Sequence, residues 1–180
     1  MNDESLTIFA GSRAVATGTR DTLAAVLREL HAGGEPAVLV FDDATGQQID
    51  SDWRDHPPAR KPARPGPGRP KLGVAAREVT LLPRHWEWLD TQPGGASVTL
   101  RKLVETARRD SAVSDRRRRS QEAAFRFMTA VAGNEAGYEE ALRALFASDR
   151  QQFESWIAQW PSDVAGYSRR LAAEAFDPGR

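Results

Sequence analysis

The chain has 180 residues, no cysteine, and 25 basic against 25 acidic residues, so its formal net charge is zero. Such a length suits one or two domains, and the lack of cysteine excludes a disulfide framework and any thiolate metal site. No apolar run approaches the ~18 residues that span a bilayer, and the acidic start Met1-Asn2-Asp3-Glu4 is unlike a secretory signal, so a soluble, cytoplasmic protein with no membrane partner is expected.

The first 53 residues alternate. Leu6, Ile8 and Ala10 share one face of an expected strand, and Ala14, Ala16 and Gly18 mark a second beyond the Gly11-Ser12 turn. Thr19 or Asp21 can cap a helix from Asp21 to His31, whose Leu23, Val26, Leu27 and Leu30 recur at helical spacing. Gly33-Gly34 stops it, and the apolar run 37–41 suits a strand buried on both faces. Gln47 to Asp50 can return as a short edge strand after the Asp42–Gly46 turn. The result is a ββαββ unit at 1–53, too small to be stable alone, which must pack on something else. Asp42, Asp43 and Asp50 match no calcium-loop spacing, and turn aspartates ordinarily cap backbone N–H groups.

Composition then shifts. Residues 54–119 hold 16 Lys/Arg against 7 Asp/Glu, a net +9, between flanks of −6 and −3. Such separation is an electrostatic footprint for polyanions, although a basic stretch can also be solvated or pair with acidic parts of its own chain. Residues 54–75 form a basic, Pro-rich linker in which six prolines between Pro57 and Pro70 exclude regular structure. Within it Pro67-Gly68-Arg69-Pro70-Lys71 resembles the AT-hook, a minor-groove DNA-binding motif. That resemblance implies that Arg69 and Lys71 lie along a narrow A·T-rich groove. The family's second arginine is replaced by Pro67, with Arg64 a substitute from upstream.

Arg77–Leu82 reads as a short strand, Pro83 as the first position of a helix through Trp86 and Leu89, and 91–95 as its end. Ser97 or Thr99 can cap a second helix with Leu100, Leu103, Val104 and Ala107 on one face. Strand, helix, glycine turn and helix over 76–110 resemble the ribbon-helix-helix family of bacterial DNA-binding proteins. The resemblance implies an intertwined homodimer whose paired strands enter the major groove of double-stranded DNA. With Val79 and Leu81 facing the helices, Glu78 and Thr80 face the bases and Arg77 and Arg84 flank the ribbon. Glu78 departs from the polar or basic residues usual there. The start of the second helix, near Ser97 and Thr99, can hold a phosphate.

Arg116, Arg117, Arg118 and Arg119 follow, able to neutralise phosphates or to be solvated in the next helix. Positive charge at a helix start opposes its dipole, which favours an outside anion. Residues 116–177 read as a helical bundle. Ala124, Phe125, Met128 and Val131 form one face, Leu142, Leu145 and Phe146 another. Asp149 caps a third helix carrying Phe153, Trp156, Ile157 and Trp160, and Val164, Tyr167 and Leu171 finish the chain. Nearly the whole length, including Gly-Arg-Pro-Lys-Leu-Gly-Val at 68–74, also resembles a bacterial family catalogued as a domain of unknown function, which implies no activity.

The expected protein is α+β: the ββαββ unit, the linker, the ribbon-helix-helix-like unit and the bundle. Its expected function is DNA binding, as a homodimeric transcription regulator or nucleoid-type binder. The alternative is an assembly module that docks its basic segment on an acidic protein. No nucleophile elbow, phosphate loop or metal-ligand cluster is present, and His85 and Glu87 would point in different directions on a helix, so no enzyme, cofactor or small-molecule substrate is expected.

Overall fold

Alternation along the first fifty residues becomes a four-stranded antiparallel sheet. The computed structural model describes residues 5–35, 37–50 and 77–177. Among these the protein is α+β, with one small sheet and seven α-helices. Strands β1 (Leu6–Ala10), β2 (Arg13–Gly18), β3 (Val38–Asp42) and β4 (Gln48–Ile49) lie in the order β2-β1-β3-β4. Helix α1 (Arg20–Ala32) joins β2 to β3. Thr19 holds its N-cap position without a capping bond from its side chain, and Asp21 lies inside the first turn. The expected side-chain cap is therefore not made. Instead Thr22 Oγ1 donates to the Thr19 carbonyl at 2.9 Å, and Asp21 meets the helix dipole favourably.

Residues 1–58 and 113–180 form one compact unit, and residues 59–112 a second. In the first, the period of two sorts the sheet's side chains. Leu6, Ile8 and Val40 point to one face and pack on Leu23 and Leu27 of α1. Phe9 and Phe41 point to the other and join the core of the C-terminal helices. β3 is thus covered on both sides, as its unbroken apolar run requires. What the small ββαββ unit packs on is the C-terminal part of the chain.

That part comprises α4 (Ala112–Val131), α5 (Tyr138–Phe146), α6 (Arg150–Ile157), α7 (Ser162–Leu171) and a 3-10 turn (Ala173–Phe176). Asp149 caps α6 as expected, its Oδ1 accepting from the Gln152 N–H at 3.0 Å. Phe153, Ile157 and Trp160 are buried, and Trp160 donates to the Ala136 carbonyl at 2.9 Å, so this tryptophan is core and not a stacking surface. Two expected faces are turned. In α4 the buried side is Ser120, Ala123, Ala124, Phe127 and Met128, while Phe125 is exposed. In α5 it is Ala141, Ala144 and Leu145, while Phe146 is exposed. Small residues line these faces because the helices approach closely, and alanines carry no strong periodic signal. Phe125 and Phe146 pair with each other at the surface, 5.9 Å between ring centres.

The centre of this core is aromatic. Phe127 lies 5.0 Å from Phe9, 5.0 Å from Phe41 and 4.4 Å from Tyr167, between ring centres. Each such pair adds about 0.5–1.5 kcal/mol beyond the area it buries. The β3–β4 turn meets α4 backbone to backbone. Gly46 has φ +62°, and a Cβ there would overlap the Ala123 carbonyl. Arg126 Nη1 fastens the same turn by donating to the Thr45 carbonyl at 3.0 Å.

The second unit, as described, holds α2 (Pro83–Asp90) and α3 (Gly95–Asp110). Pro83 opens α2 as expected. Helix α3 starts earlier than Ser97 or Thr99 would place it. Gly94, at φ +90°, is its N-cap, and both residues sit within its opening turns. Ser97 Oγ instead accepts from Arg101 at 2.9 Å. The left-handed backbone that only glycine adopts freely decides the boundary, ahead of the hydroxyl cap. Arg77–Leu82, expected as a strand, pairs with no strand of this chain among the described residues. Among the described residues no helix is long and apolar enough to cross a membrane.

Candidate nucleic-acid interface

The second unit carries the side chains expected to meet DNA, apart from the Arg116–Arg119 run. Arg77 and Thr80 are exposed on the unpaired segment, and Arg84 is exposed in the first turn of α2. Ser97 is exposed and Thr99 half-buried at the start of α3, where the N–H groups lacking helical partners belong to residues 95–97. The Gly95 N–H is taken by the Gln92 carbonyl at 3.0 Å. Arg64, Arg69 and Lys71 lie outside the described residues. Glu78 is exposed beside Arg77 and Thr80.

Around these polar residues the described part of the unit has almost no core. Leu89 is its single buried side chain among the described residues. Val79, Leu82, Trp86, Trp88, Leu103 and Val104 are all exposed, and α3 buries none of its 16 residues. An amphipathic helix that buries nothing has its apolar face turned to solvent within one chain.

The arginine run separates into three environments, all in the first unit. Arg117 is tied inward: Nη2 donates to the Asp177 carbonyl at 2.8 Å, and Nε is buried without a partner. Arg118 is held along its helix by Asp115 at 2.9 Å and Glu122 at 4.0 Å. Arg116 and Arg119, one helical turn apart, line a cavity of about 590 Å³. Four consecutive charges in sequence are therefore not four equivalent phosphate contacts.

Beside that cavity lies a polar cluster that composition did not single out. Asp43 accepts from Ser5 Oγ at 2.6 Å, Thr7 Oγ1 at 2.7 Å, Tyr167 Oη at 2.8 Å and Arg170 Nη2 at 3.0 Å. Thr7 and Asp43 sit on the sheet face that carries Phe9 and Phe41, so the cluster ties the strands to α7. Burial pushes the Tyr167 phenol well above its ordinary value of 10.0. The hydrogen bond to Asp43 and its charge add to that, while Arg170 pulls the other way. The available signal was a lone polar residue, Thr7, at an inward position of an apolar strand. Asp42 serves its own turn, Oδ1 accepting from the N–H groups of Ala44 at 3.0 Å and Thr45 at 2.6 Å. Among the described residues no group of three or more His, Asp or Glu is placed to hold a metal ion.

No curated protein and no solved structure matches the chain. The model of a bacterial family, described as an uncharacterized protein conserved in bacteria (DUF2239), matches residues 5–172, and the chain belongs to that family.

Proposed function

We propose that the protein is a homodimeric DNA-binding protein in which the second unit of one copy is completed by the second unit of another. The observation that carries this reading is the unit's uncovered apolar surface. Val104 is 62% exposed and Leu103 48% on α3, and Val79 55% on the segment before α2, where Leu89 is the single buried side chain among the described residues. A second copy offers the same surface and the same unpaired segment, so one two-fold interface can pair both. Paired Arg77–Leu82 segments would make a ribbon suited to a major groove, with Thr80 outward and Arg77 and Arg84 beside the phosphates. The net +9 of residues 54–119 supplies attraction to the backbone, and the Gly68-Arg69-Pro70 segment a contact to the minor groove. Glu78 on the ribbon face favours binding dominated by phosphates over base readout. This reading covers a transcription regulator and a nucleoid-type binder alike.

The test uses the full chain. Sedimentation should show a dimer, and Val104→Glu should convert it to a monomer. Duplex binding, followed by anisotropy, should weaken steeply with salt, with a log–log slope of about −0.9 per phosphate contacted, and should vanish with Val104→Glu. A monomeric wild type, or salt-independent binding, would overturn the reading. Dimerisation without affinity for any duplex would favour an assembly module that docks on an acidic protein.

A further inference from the structure

We infer that the cavity between the β3–β4 turn and the start of α4 is a binding site for a small phosphate- or diphosphate-bearing molecule. The inference stands apart from the DNA reading, because the cavity lies wholly in the unit built from the sheet and the C-terminal helices. Its wall is formed by Arg116 and Arg119 of α4, Arg170 of α7, Asp43 and Thr45 of the turn, and Glu174 of the 3-10 turn. At about 590 Å³ its volume falls within the range of small-ligand sites, about 300–1,000 Å³.

The charges are not balanced within the wall. Asp43 is occupied by Arg170, Tyr167, Thr7 and Ser5. Glu174 is then the one remaining carboxylate on the cavity, against two arginines. No side-chain hydrogen bond or ion pair holds Arg116 or Arg119 among the described residues, although Arg117 and Arg118 between them are both held. Two guanidinium groups one turn apart on a helix present two planar forks to the same volume. A phosphate accepts such forks in paired bonds, and a diphosphate can occupy both.

The neighbouring surface suits the rest of an organic ligand. Ala44, Leu171 and Ala173 give the cavity an apolar part. The frame is rigid. Ser120 Oγ donates to the Leu171 carbonyl at 2.6 Å, and Asp42 and Arg126 fasten the turn from both sides. The backbone that frames the site is thus fixed, and the ordering cost falls on the two unpaired arginine side chains.

The probes are inorganic phosphate and pyrophosphate, titrated calorimetrically into the full chain at low salt. Saturable binding of one anion per chain is expected, tighter for pyrophosphate. Arg119→Ala and Arg116→Ala should each weaken it about tenfold or more, the scale of losing a charge-assisted bond. Arg119→Lys, which keeps the charge and loses the fork, should fall between. Arg118→Ala removes the same charge one position away and should leave affinity within about twofold, because that side chain is already paired on its own helix. Both target side chains reach solvent, and circular dichroism checks that each variant is folded; should one fail, the other decides. Three results would overturn the inference: no saturable binding, an Arg118→Ala loss equal to that of Arg119→Ala, or competitive displacement of pyrophosphate by duplex DNA, which would make the pair a backbone contact.

Discussion

Replacing Asp43 by alanine removes one acceptor from four donors, and the structure sets the size of the loss. Tyr167 is 4% exposed and its hydroxyl has Asp43 as partner, so leaving it unmet costs about 1–3 kcal/mol. Thr7 is buried but keeps Thr17 at 3.0 Å, which limits its share to about 0.5–1.5 kcal/mol. Arg170 is half-exposed, so its ion pair is screened and contributes at most about 1 kcal/mol. Ser5 is exposed and adds little. Together the loss should be about 2–5 kcal/mol. With a urea slope of about 2 kcal/mol/M the midpoint falls by about 1–2.5 M. Urea unfolding followed by far-ultraviolet circular dichroism measures it. Asp43→Asn, which keeps one acceptor oxygen, should lose less. A change below about 0.5 kcal/mol for Asp43→Ala, the scale of an ordinary surface substitution, would refute the view that this carboxylate ties the sheet to α7.

Two further perturbations test the packing of the same unit. Gly46→Ala forces a left-handed backbone on a residue with a side chain and drives its Cβ into Ala123, so thermal or urea unfolding should register a loss of about 2–5 kcal/mol. Gly11→Ala is the control: φ is similar, at +59°, but nothing lies within 4 Å, so only the backbone term of about 1–2 kcal/mol should appear. Equal losses at the two sites would show that the close approach to α4 does not matter. Tyr167 makes stability sensitive to alkali. The unfolded phenol ionises near its ordinary 10.0 and the folded one only at higher pH, so its contribution is complete below pH 10 and is lost as pH rises beyond it. In a Tyr138→Phe background Tyr167 is the one tyrosine left, and its phenolate absorbance should rise only above that value. A transition centred at the ordinary value would contradict its burial.

Period-two alternation made the sheet legible, because each strand with one apolar set per face has one way to lie between two layers. Leu6 with Ile8, the run 37–41 and the helix after Thr19 all land where their spacing places them. The C-terminal faces were less readable. Alanine-rich stretches gave Phe125 and Phe146 undue weight, whereas Ala123 and Ala141 are the residues that let helices come close. The start of α3 went to a glycine's backbone geometry over the hydroxyl caps beside it. The Arg116–Arg119 run was visible as charge, but which members are anchored and which line the cavity depends on residues more than forty positions away, such as Asp177 and Arg170. The Asp43 cluster was hidden for the same reason: its partners Thr7 and Arg170 stand 163 positions apart.

The aromatic junction of Phe9, Phe41, Phe127 and Tyr167 also sets a timetable. The two phenyl rings of the sheet leave the ribosome well before their partners exist. The 126 positions between Phe41 and Tyr167 take roughly 6–25 s to synthesise at roughly 5–20 residues per second. Throughout that interval the nascent strands carry a greasy, unmated side, which invites chaperone capture or premature association between neighbouring chains on one message. The sheet is made first and finished last, and arrival of Tyr167 is the step that ends its exposure.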